Sequence, residues 1–581
     1  MAYSSWHIAQ SSLMTNKQIA TALQDLASIM ELHGENIFKI RSYQNAYIVL
    51  RKLDKPLSAM LRSEMDALKG VGKAIGDKIE ELLKTGELQT YKKYTDITPP
   101  GVIEMLNING FGPKKVLTVW KELGVENLGE LLYACNENRL IEIRGFGKKT
   151  QDELIKNIQY YLRNADSQLW ANAEKETQEV IEKIKEFLPD VRIEVVGEMR
   201  RKLPTVRKIE LVMVGNFAFE KLAKTLNAHV EIINLEKESD AYAILSSHKL
   251  AIEHSSTDSY QPNLPLHIFK STAEDIAKNI FLQTGSEDYL KDAALNFKNE
   301  TKQKFESEQA VFAFLKKTYI EPELRENANL QYTEKENAEL VTVGSIKGII
   351  HTHTTFSDGV NTLAEMAHAA QHLGYQYIGI TDHSQAAFYA NGLKEERVLQ
   401  QWAEIDTLNA SMFNFKILKG IESDILYDGS LDYPEELLAG FDFVIASVHS
   451  TLKMNEEKAT TRLITAIENK YTTILGHPTG RLLLSRAGYP IDHKKIIDAC
   501  AANKVTIELN ANPYRLDLDW TWIDYARKKG VLIAINPDAH SIAGINDIRY
   551  GVNIARKGGL QISECLNTLS VEDFLNFAEK R

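Results

Sequence analysis

The stretch IIHTHTTFSDG, residues 349–359, places two histidines and an aspartate directly after a short apolar run. An apolar run of this length is consistent with a buried β-strand. His-x-His on an extended segment projects both imidazoles to one side, so His351 and His353 can bind the same ligand. From residue 348 onward such runs alternate with helical stretches, and this alternation predicts a parallel α/β fold.

Other apolar runs after residue 348 also end in histidine or acidic residues. These runs are YIGITDH, ILKGIESDI, FVIASVHS, TTILGHPTG and VLIAINPDAH. Only VTIELNANP ends without such a residue, and it offers Asn510 and Asn512 instead. All strands of a parallel barrel open their C-terminal ends on one face, so we expect these side chains to converge on one pocket. The predicted metal ligands are His351, His353, Asp358, His383, Glu422, His449, His477, Asp538 and His540.

The chemistry of this set indicates a cluster of divalent ions. A single strand-end histidine is more often a packing residue, but six histidines with three acids favour metal binding. Mixed imidazole and carboxylate ligands suit zinc, manganese or iron, and do not suit calcium. Nine ligands exceed the needs of one ion, so we expect two or three ions, with Glu422 as the bridging carboxylate. Such clusters activate a water and clamp a phosphate. We expect His351, His353, Glu422 and Asp538 to be catalytic, whereas His368, His372 and His493 fall in helical stretches and are not predicted ligands.

A second pattern recurs three times in the N-terminal third of the chain. The copies are LKGVGKAIGDKIEELL from Leu68, LNINGFGPKKVLTVW from Leu106 and IEIRGFGKKTQDELI from Ile141. Each copy has a Gly-x-Gly turn followed by a helix with lysines in its first turns. Glycine permits positive φ and a close approach by another backbone, and the free N–H groups of a helix start can hold a phosphate.

A tight helical hairpin with solvated lysines is the alternative interpretation of one copy, but three copies favour binding to the DNA backbone. Such contacts position DNA without recognising its sequence. The pattern resembles the helix-hairpin-helix motif. The predicted DNA-binding residues are Gly70, Gly72, Lys73, Gly110, Gly112, Lys114, Gly145, Gly147 and Lys148, with Lys115 and Lys149 adding charge.

The composition limits the classes of protein to which the chain can belong. A chain of 581 residues is too long for one core, so several domains are expected. No apolar run approaches the roughly 18 residues of a membrane span, and no secretory signal is visible. Three widely spaced cysteines argue against a disulfide framework and favour a reducing, cytoplasmic setting. The net charge of −11 disfavours broad binding to phosphates, so any nucleic-acid contact must be local.

The chain after residue 348 closely resembles the PHP (polymerase and histidinol phosphatase) domain. The matching stretches are HTHTTFSDG, TDHS, ANGL, GIESDI, GSLDYP, ASVHS, GHPTGR, ELNANPYRLDLD and DAHS. The resemblance implies an α/β distorted (β/α)7 barrel with a trinuclear site that hydrolyses phosphoesters. One departure is Ile349-Ile350, where the family often has Asp-Leu. Because the lost acid is not normally a direct ligand, little effect is expected.

From about Met14 to the end, the order of motifs resembles a bacterial family X DNA polymerase. The further matches are GENIFKIRSYQNAY, the three hairpins, TGSEDY and YIEPELRE. The resemblance implies a multidomain protein with an α-helical N-terminal region and an α+β nucleotidyltransferase-like palm and thumb before the barrel. The implied boundaries are an N-terminal extension (1–13), a helical lyase-like domain (14–95), a fingers-like domain (96–165), a palm (166–270), a thumb (271–325), a linker (326–347) and the PHP domain (348–581).

The same resemblance indicates that the palm has lost most of its catalytic carboxylates. Family members hold two Mg²⁺ with three aspartates, and Asp-x-Asp is replaced here by Lys208-Ile209-Glu210. The third aspartate aligns with Pro265, and the Gly-Ser turn is Gly197-Glu198, although Arg200 and Arg201 remain. We therefore expect no Mg²⁺ in the palm and no templated polymerase activity. Thr284-Gly285-Ser286 of the nucleotide pocket is intact.

Lys78 stands where the family's lyases place their Schiff-base lysine, with a solvated helix lysine as the alternative. The expected protein is a cytoplasmic, monomeric DNA phosphoesterase that acts on gapped, recessed or damaged duplex. We expect a 3′→5′ exonuclease or 3′-end-processing activity in DNA repair, with abasic-site cleavage as a further candidate. The alternatives are a working gap-filling polymerase, a small-molecule phosphatase of the histidinol-phosphate type and a non-catalytic DNA scaffold. The complete ligand set disfavours the scaffold, and the DNA-binding motifs disfavour the phosphatase.

Overall fold

The computed structural model describes residues 14–53, 55–136, 139–164, 166–227, 234–239, 241–246, 264–291, 303–327 and 333–579. The proposed N-terminal extension, residues 1–13, lies outside these residues. The chain divides into two compact units, and the described residues up to Asp166 belong to the first. No helix among the described residues is long and apolar enough to cross a membrane.

The first unit is helical, as the sequence predicts. A capping box at Thr15 starts the first helix, and Gly86 and Gly124 end later helices in the left-handed conformation. The buried faces form two hydrophobic cores, one around Leu23 and Ile79 and one around Phe111. The helices are Asn16–Leu32, Ile37–Leu50, Arg62–Asp66, Lys73–Thr85, Gln89–Thr95, Pro100–Met105, Pro113–Leu123, Leu128–Asn136 and Lys148–Asn164.

The second unit begins with a mixed sheet that corresponds to the predicted palm. Its strands, in spatial order, are Arg192–Val196, Ile209–Val214, Leu266–Ser271, Tyr242–Ser246 and Asn234–Ser239. The second and third of these are parallel, and the other neighbours are antiparallel. A short pair, Gln168–Leu169 with Thr205–Val206, lies beside it. The helices of this part are Trp170–Phe187, Gly197–Arg200, Phe219–Asn227, Ile276–Thr284 and Glu308–Phe314.

The remainder of the second unit is a parallel barrel, which confirms the predicted fold class. We label its strands β1 to β7 in chain order: Gly348–Ile349, Tyr377–Ile380, Lys416–Asp424, Phe443–Ser447, Ile474–Leu475, Thr506–Asn510 and Ile533–Asn536. Each strand pairs with the next along the chain, and every pair is parallel. The helices around them are Leu363–His372, Glu395–Ser411, Glu435–Leu438, Glu456–Ile467, His493–Asn503, Ile523–Lys528, Ile548–Lys557 and Val571–Glu579.

The barrel closes through residues that follow its first and last strands. The amide of His353 donates to Ala539 O at 2.9 Å, and the amide of Ala539 donates to His351 O at 3.2 Å. These two bonds join the segment after β1 to the segment after β7. The barrel is therefore closed by the backbone of two predicted metal ligands, His351 and His353.

Apolar side chains fill the barrel below these residues. Phe443 and Tyr377 are buried there with Phe574 of the last helix, and the Phe443 and Phe574 rings meet edge to face at 5.4 Å. Gly379 and Gly420 leave room for Phe443, since a Cβ at either position would lie 2.5 Å from its Cζ atom. The packed interior thus supports the polar ends of the strands from below.

The described part of the segment 326–347 packs against the rest of the second unit. The amide of Val341 donates to Leu560 O at 3.0 Å, and Val341 is fully buried. Glu326 accepts from the buried Lys557 at 2.6 Å and from Arg201 at 2.8 Å. These contacts attach the palm to the barrel in this part of the chain.

Candidate functional site

All nine predicted metal ligands converge at the C-terminal ends of the barrel strands. Three overlapping sets have potential ligand atoms within 4.8 Å of one another. The cluster is largely shielded from solvent, because most of its members are less than a tenth exposed. The three sets are His353, Asp358, His383 and His540; His351, His353 and Asp538; and His383, Glu422 and His449.

Glu422, in β3, lies at the centre of the cluster and is 1% exposed. Its neighbours are His383 Nδ1 (2.9 Å) and His353 Nε2 (3.6 Å) at Oε2, and His449 Nε2 (3.1 Å), His477 Nε2 (3.1 Å) and His351 Nε2 (3.5 Å) at Oε1. Each oxygen therefore faces a different set of imidazole nitrogens. A carboxylate that bridges two ions needs this arrangement, which also brings His477 into the cluster.

Two aspartates border the cluster on the side where the barrel closes. Asp538 Oδ1 lies 3.1 Å from His353 Nε2 and 3.6 Å from His351 Nε2. Asp358 Oδ1 lies 3.4 Å from His540 Nε2 and 3.6 Å from His383 Nε2. Both carboxylates thus share histidines with Glu422 or with each other, as expected for a multinuclear centre.

Several buried atoms of the cluster have no hydrogen-bond partner within the described residues. Burying such atoms without a partner costs free energy, and a cation bound among them would offset that cost. These atoms are Nε2 of His351, both ring nitrogens of His353, Nδ1 of His383, Nδ1 of His449, Nδ1 of His477 and Oε2 of Glu422. Imidazole nitrogens and carboxylate oxygens aimed at one another fit divalent cations such as zinc or manganese.

The charges of the cluster shift the pKa values of its members. Burial opposes protonation of His449, but the carboxylates of Glu422 and Asp424 raise its pKa to about 10. Burial, together with His540 and His383, lowers the pKa of His353 to about 3. Burial would raise the pKa of Glu422, but the surrounding histidines hold it well below its usual value. The carboxylate of Glu422 is therefore ionised at neutral pH, as a metal ligand must be.

Glu508 is a member of the site that the sequence prediction missed. The run VTIELNANP ends in asparagines, as stated above, but it also carries Glu508 inside β6, where this acid is fully buried. Its Oε2 is 2.7 Å from Nδ1 of His351, and its Oε1 accepts from the amide of His477 at 3.2 Å. A carboxylate at this position orients the imidazole of a ligand. An acid between Ile507 and Leu509 was the available signal.

Asp424 contacts a predicted ligand, and Asp382 contacts the loop that carries another. Asp424 Oδ1 lies 3.3 Å from Nδ1 of His449. Asp382 is fully buried and accepts hydrogen bonds from the loop that carries Asp358, including one from the amide of Thr354 at 2.8 Å. Of the helical histidines, His493 stacks on Trp522 at 4.6 Å, and the exposed His368 and His372 lie on the helix Leu363–His372. None of these three enters the sets of potential ligands.

The three glycine hairpins share one backbone geometry. The first glycine of each copy has positive φ: +93° at Gly70, +76° at Gly110 and +97° at Gly145. The second glycine, Gly72, Gly112 or Gly147, is exposed, and helices follow at Lys73, Pro113 and Lys148. Lys114 is exposed in the first turn of the second helix. The residue between the glycines is buried, and in the second and third copies these are Phe111 and Phe146, whose rings lie 6.3 Å apart. The packing thus leaves the second glycine of each turn exposed to solvent.

Lys78 lies on the helix Lys73–Thr85 and is paired within it. Its Nζ is 2.6 Å from Glu81 Oε2, and its side chain is 20% exposed. A Schiff-base nucleophile must present a neutral amine to its substrate, and the amine of Lys78 is engaged here by a carboxylate. The lyase role of Lys78 stays a prediction.

The predicted palm motif also contains an ion pair. Lys208 Nζ lies 2.8 Å from Oε1 of the buried Glu210. Glu210 packs so closely on Gly197 that a Cβ there would lie 1.7 Å from Glu210 Oε2. The amide of Arg207 donates to Glu198 Oε2 at 2.7 Å, so the Glu198 side chain faces the same turn.

Strand register places His267, and not Pro265, beside Glu210. Pro265 precedes the strand, and its carbonyl accepts from the amide of Ile209 at 3.0 Å. Nδ1 of His267 is hydrogen-bonded to the hydroxyl of Tyr242 at 2.6 Å. Burial, together with the charge of Lys208, lowers the pKa of His267 to about 4. The alignment of Pro265 with the third acidic position stays a prediction, and the register adds that His267 is the residue paired with Glu210.

The two retained arginines are committed to partners inside the second unit. Arg200 donates to Thr284 Oγ1 at 2.8 Å and pairs with Glu308. Arg201 donates to Thr284 O at 2.7 Å, in addition to its bond with Glu326. Both guanidinium groups therefore brace the Thr284 segment.

Two parts of the chain match known domain families. Residues 14–88 match the helix-hairpin-helix domain family, and residues 350–512 match the PHP domain family. The DNA polymerase/3′-5′ exonuclease PolX of Bacillus subtilis is 34% identical over 570 residues, which cover 98% of this chain and 100% of the relative. A probable phosphatase of Acetivibrio thermocellus is 29% identical over 240 residues, which cover 40% of this chain and 94% of that protein. The full-length match, with both domain matches, shows that the chain belongs to the PolX-like family X DNA polymerases that carry a helix-hairpin-helix domain and a C-terminal PHP domain.

Proposed function

We propose that the protein is a metal-dependent phosphodiesterase that degrades or trims DNA from the 3′ end. The convergence of nine potential ligands on one largely buried cluster carries this proposal. The name of the Bacillus subtilis relative, a polymerase and 3′-5′ exonuclease, is consistent with it. The match to probable phosphatases supports the coarser statement that the pocket hydrolyses phosphoesters.

The residues of the pocket suit hydrolysis of a phosphodiester. Divalent ions held by the nine ligands would activate a water and neutralise the phosphate oxygens. Arg515, whose Nε lies 3.8 Å from Asp538 Oδ2, places a positive charge beside the cluster. In the proposed reaction, water oxygen bonds to phosphorus, the bond to the 3′ oxygen of the preceding nucleotide breaks, and that oxygen takes a proton.

Metal removal gives the direct test of this function. We expect the purified protein to contain zinc or manganese and to shorten a recessed 3′ end labelled at its 5′ terminus. Dialysis against a chelator should remove both the metal and the hydrolysis, and adding the ion back should restore hydrolysis. A metal-free protein that shortens the strand at the original rate would overturn the proposal.

The hairpins would hold the duplex through its backbone. We expect Gly110→Val to weaken binding to gapped duplex about tenfold or more, because the side chain obstructs approach of a phosphate and disfavours the positive φ. Gly124→Val is the matched control, since Gly124 also has positive φ (+64°) and no close neighbour, but it lies at the C-terminal end of the helix Pro113–Leu123, away from the Gly-x-Gly turn. Fluorescence anisotropy with both variants measures the difference, and equal affinities would exclude the hairpin from the DNA contact.

We also propose that the palm has no templated polymerase activity. The ammonium group of Lys208 occupies the space beside Glu210 where a divalent ion would bind. The charges of Lys208 and Glu210 neutralise each other. His267 beside them supplies no anionic oxygen. Phosphoryl transfer depends on metal ions that neutralise the triphosphate, so this environment disfavours it.

Primer extension tests the palm separately from the barrel. With the metal centre disabled by His351→Ala and His353→Ala, we expect no extension at a one-nucleotide gap with Mg²⁺ or Mn²⁺. Lys208→Asp in the same background should also give none, since Glu198 and His267 remain. Nucleotide incorporation by the unmodified palm would contradict this proposal and support the gap-filling alternative.

A further inference from the structure

Two exposed aromatic side chains, Phe388 and Tyr389, stand beside the metal centre. Phe388 is 86% exposed and Tyr389 is 60% exposed. The ring of Tyr389 lies 6.4 Å from the ring of the ligand His383. A large apolar side chain exposed to this extent has no role in packing the barrel, so its position next to a reaction centre requires another explanation.

The loop that carries these rings, residues 384–393, is tightly held. The amide of Ser384 donates to Glu422 O at 3.0 Å, and the amide of Leu393 donates to His383 O at 2.8 Å, so both ends of the loop are tied to the metal centre. A Cβ on Gly392 would lie 1.9 Å from Ser384 O, which shows how closely the two ends approach.

The middle of the loop is fixed as well. Ala387 and Ala390, on either side of the aromatic pair, are buried. The amide of Ala386 donates to Asp432 Oδ2 at 2.6 Å, and Arg397 donates to Asn391 O at 2.9 Å. The two rings are therefore presented outward by a braced backbone, which lowers the entropy lost when a ligand stacks on them.

We propose that Phe388 and Tyr389 form a stacking platform for the unpaired base of the nucleotide whose phosphodiester is cleaved at the metal centre. This inference rests on the proposed function and adds the form of the substrate: a terminal nucleotide that has left the duplex. Every base has an aromatic face, so a platform of this kind tolerates any sequence. The two rings lie 6.1 Å apart at 78°, so a base that stacks on one ring can meet the edge of the other.

The charge distribution around the platform agrees with a nucleic-acid strand as its occupant. Arg515 lies at the edge of the same cluster, and its Nε is 3.8 Å from Asp538 Oδ2. The face of the barrel that carries the platform also carries the predicted ligands of the metal ions, and those ions would bind a phosphate. A base on the aromatic rings and a phosphate at the ions are neighbouring parts of one nucleotide, which an apolar protein segment would not match.

The test compares two single-stranded oligonucleotides that differ only in the terminal 3′ nucleotide, which carries a base in one and lacks it in the other. We expect Phe388→Ala with Tyr389→Ala to lower kcat/KM for the base-bearing end about tenfold or more, the range for loss of stacking by one base. Hydrolysis of the end without a base should be unchanged. Phe388→Trp and Tyr389→Phe should retain wild-type rates, since both keep an aromatic face.

Phe413→Ala is the matched control. Phe413 is 88% exposed but precedes β3, at the opposite end of the barrel, so its removal should leave both ends cleaved at the wild-type rate. Equal losses on both oligonucleotides, or no loss on either, would overturn the platform while leaving the nuclease function intact. A wild-type protein that cleaves neither oligonucleotide would refute the proposed function and the platform together.

Discussion

Replacing Glu422 by glutamine is expected to reduce hydrolysis of a 3′ end by about a thousandfold, because metal ions supply several kcal/mol of charge stabilisation and each 1.36 kcal/mol is a factor of ten. Both oxygens of Glu422 face imidazole nitrogens at 2.9 to 3.6 Å. The amide would remove the negative charge and present N–H donors to atoms that need a cation between them. The measurements are the rate on a recessed 3′ end and the metal content of the purified variant.

Asp442→Asn is the control for this prediction. Asp442 precedes β4 at the opposite end of the barrel and accepts from the amide of Lys419 at 2.7 Å. This substitution also neutralises a carboxylate, but it should leave the metal content and the rate close to those of the wild type. If the Glu422 variant kept its metal and its rate, Glu422 would not bridge the ions.

The second large effect concerns stability. Phe443→Ala should destabilise the barrel by about 3–5 kcal/mol, as is usual when a buried phenylalanine is truncated. Phe443 is 2% exposed and fills the space left by Gly379 and Gly420, so the cavity cannot close without moving the strands. For a domain of this size the loss lowers the melting temperature by roughly 10 °C.

Differential scanning calorimetry of the full chain would measure this shift, with Phe413→Ala as a control in which an exposed ring is lost. The control should melt within about a degree of the wild type, because surface substitutions usually change stability by less than 0.5 kcal/mol. An unchanged melting temperature for Phe443→Ala would mean that the ring does not support the barrel.

The barrel and its candidate ligands could be predicted from the sequence because most strand runs end in a histidine or an acidic residue. An apolar run followed by histidine or an acid identifies both the strand and the edge that it reaches, as at His449 and His477. Parallel strands then bring those ends together without further information. This reasoning places residues at a shared edge, and the structure adds that Glu422 lies among five of the histidines.

The features that were missed depend on positions within strands. Glu508 is enclosed by apolar neighbours in β6, so the ends of the runs could not reveal it. The neighbour of Glu210 depends on pairing between strands that are distant in the chain, and register is a property of the sheet and not of either segment. Local pattern therefore could not reveal that the sheet pairs His267 with Glu210.

The contacts that close the barrel at the candidate metal centre join distant parts of the chain. They can therefore form only after the later part has been synthesised. His351 and Glu508 are 157 residues apart, and Ala539, which closes the barrel with His351 and His353, is still further along the chain. Contacts between such distant segments form late in folding, because a long loop must close first. Under the proposed function, a partly synthesised chain would hold its glycine hairpins before it holds Asp538 and His540, so binding would precede cutting as the polypeptide grows.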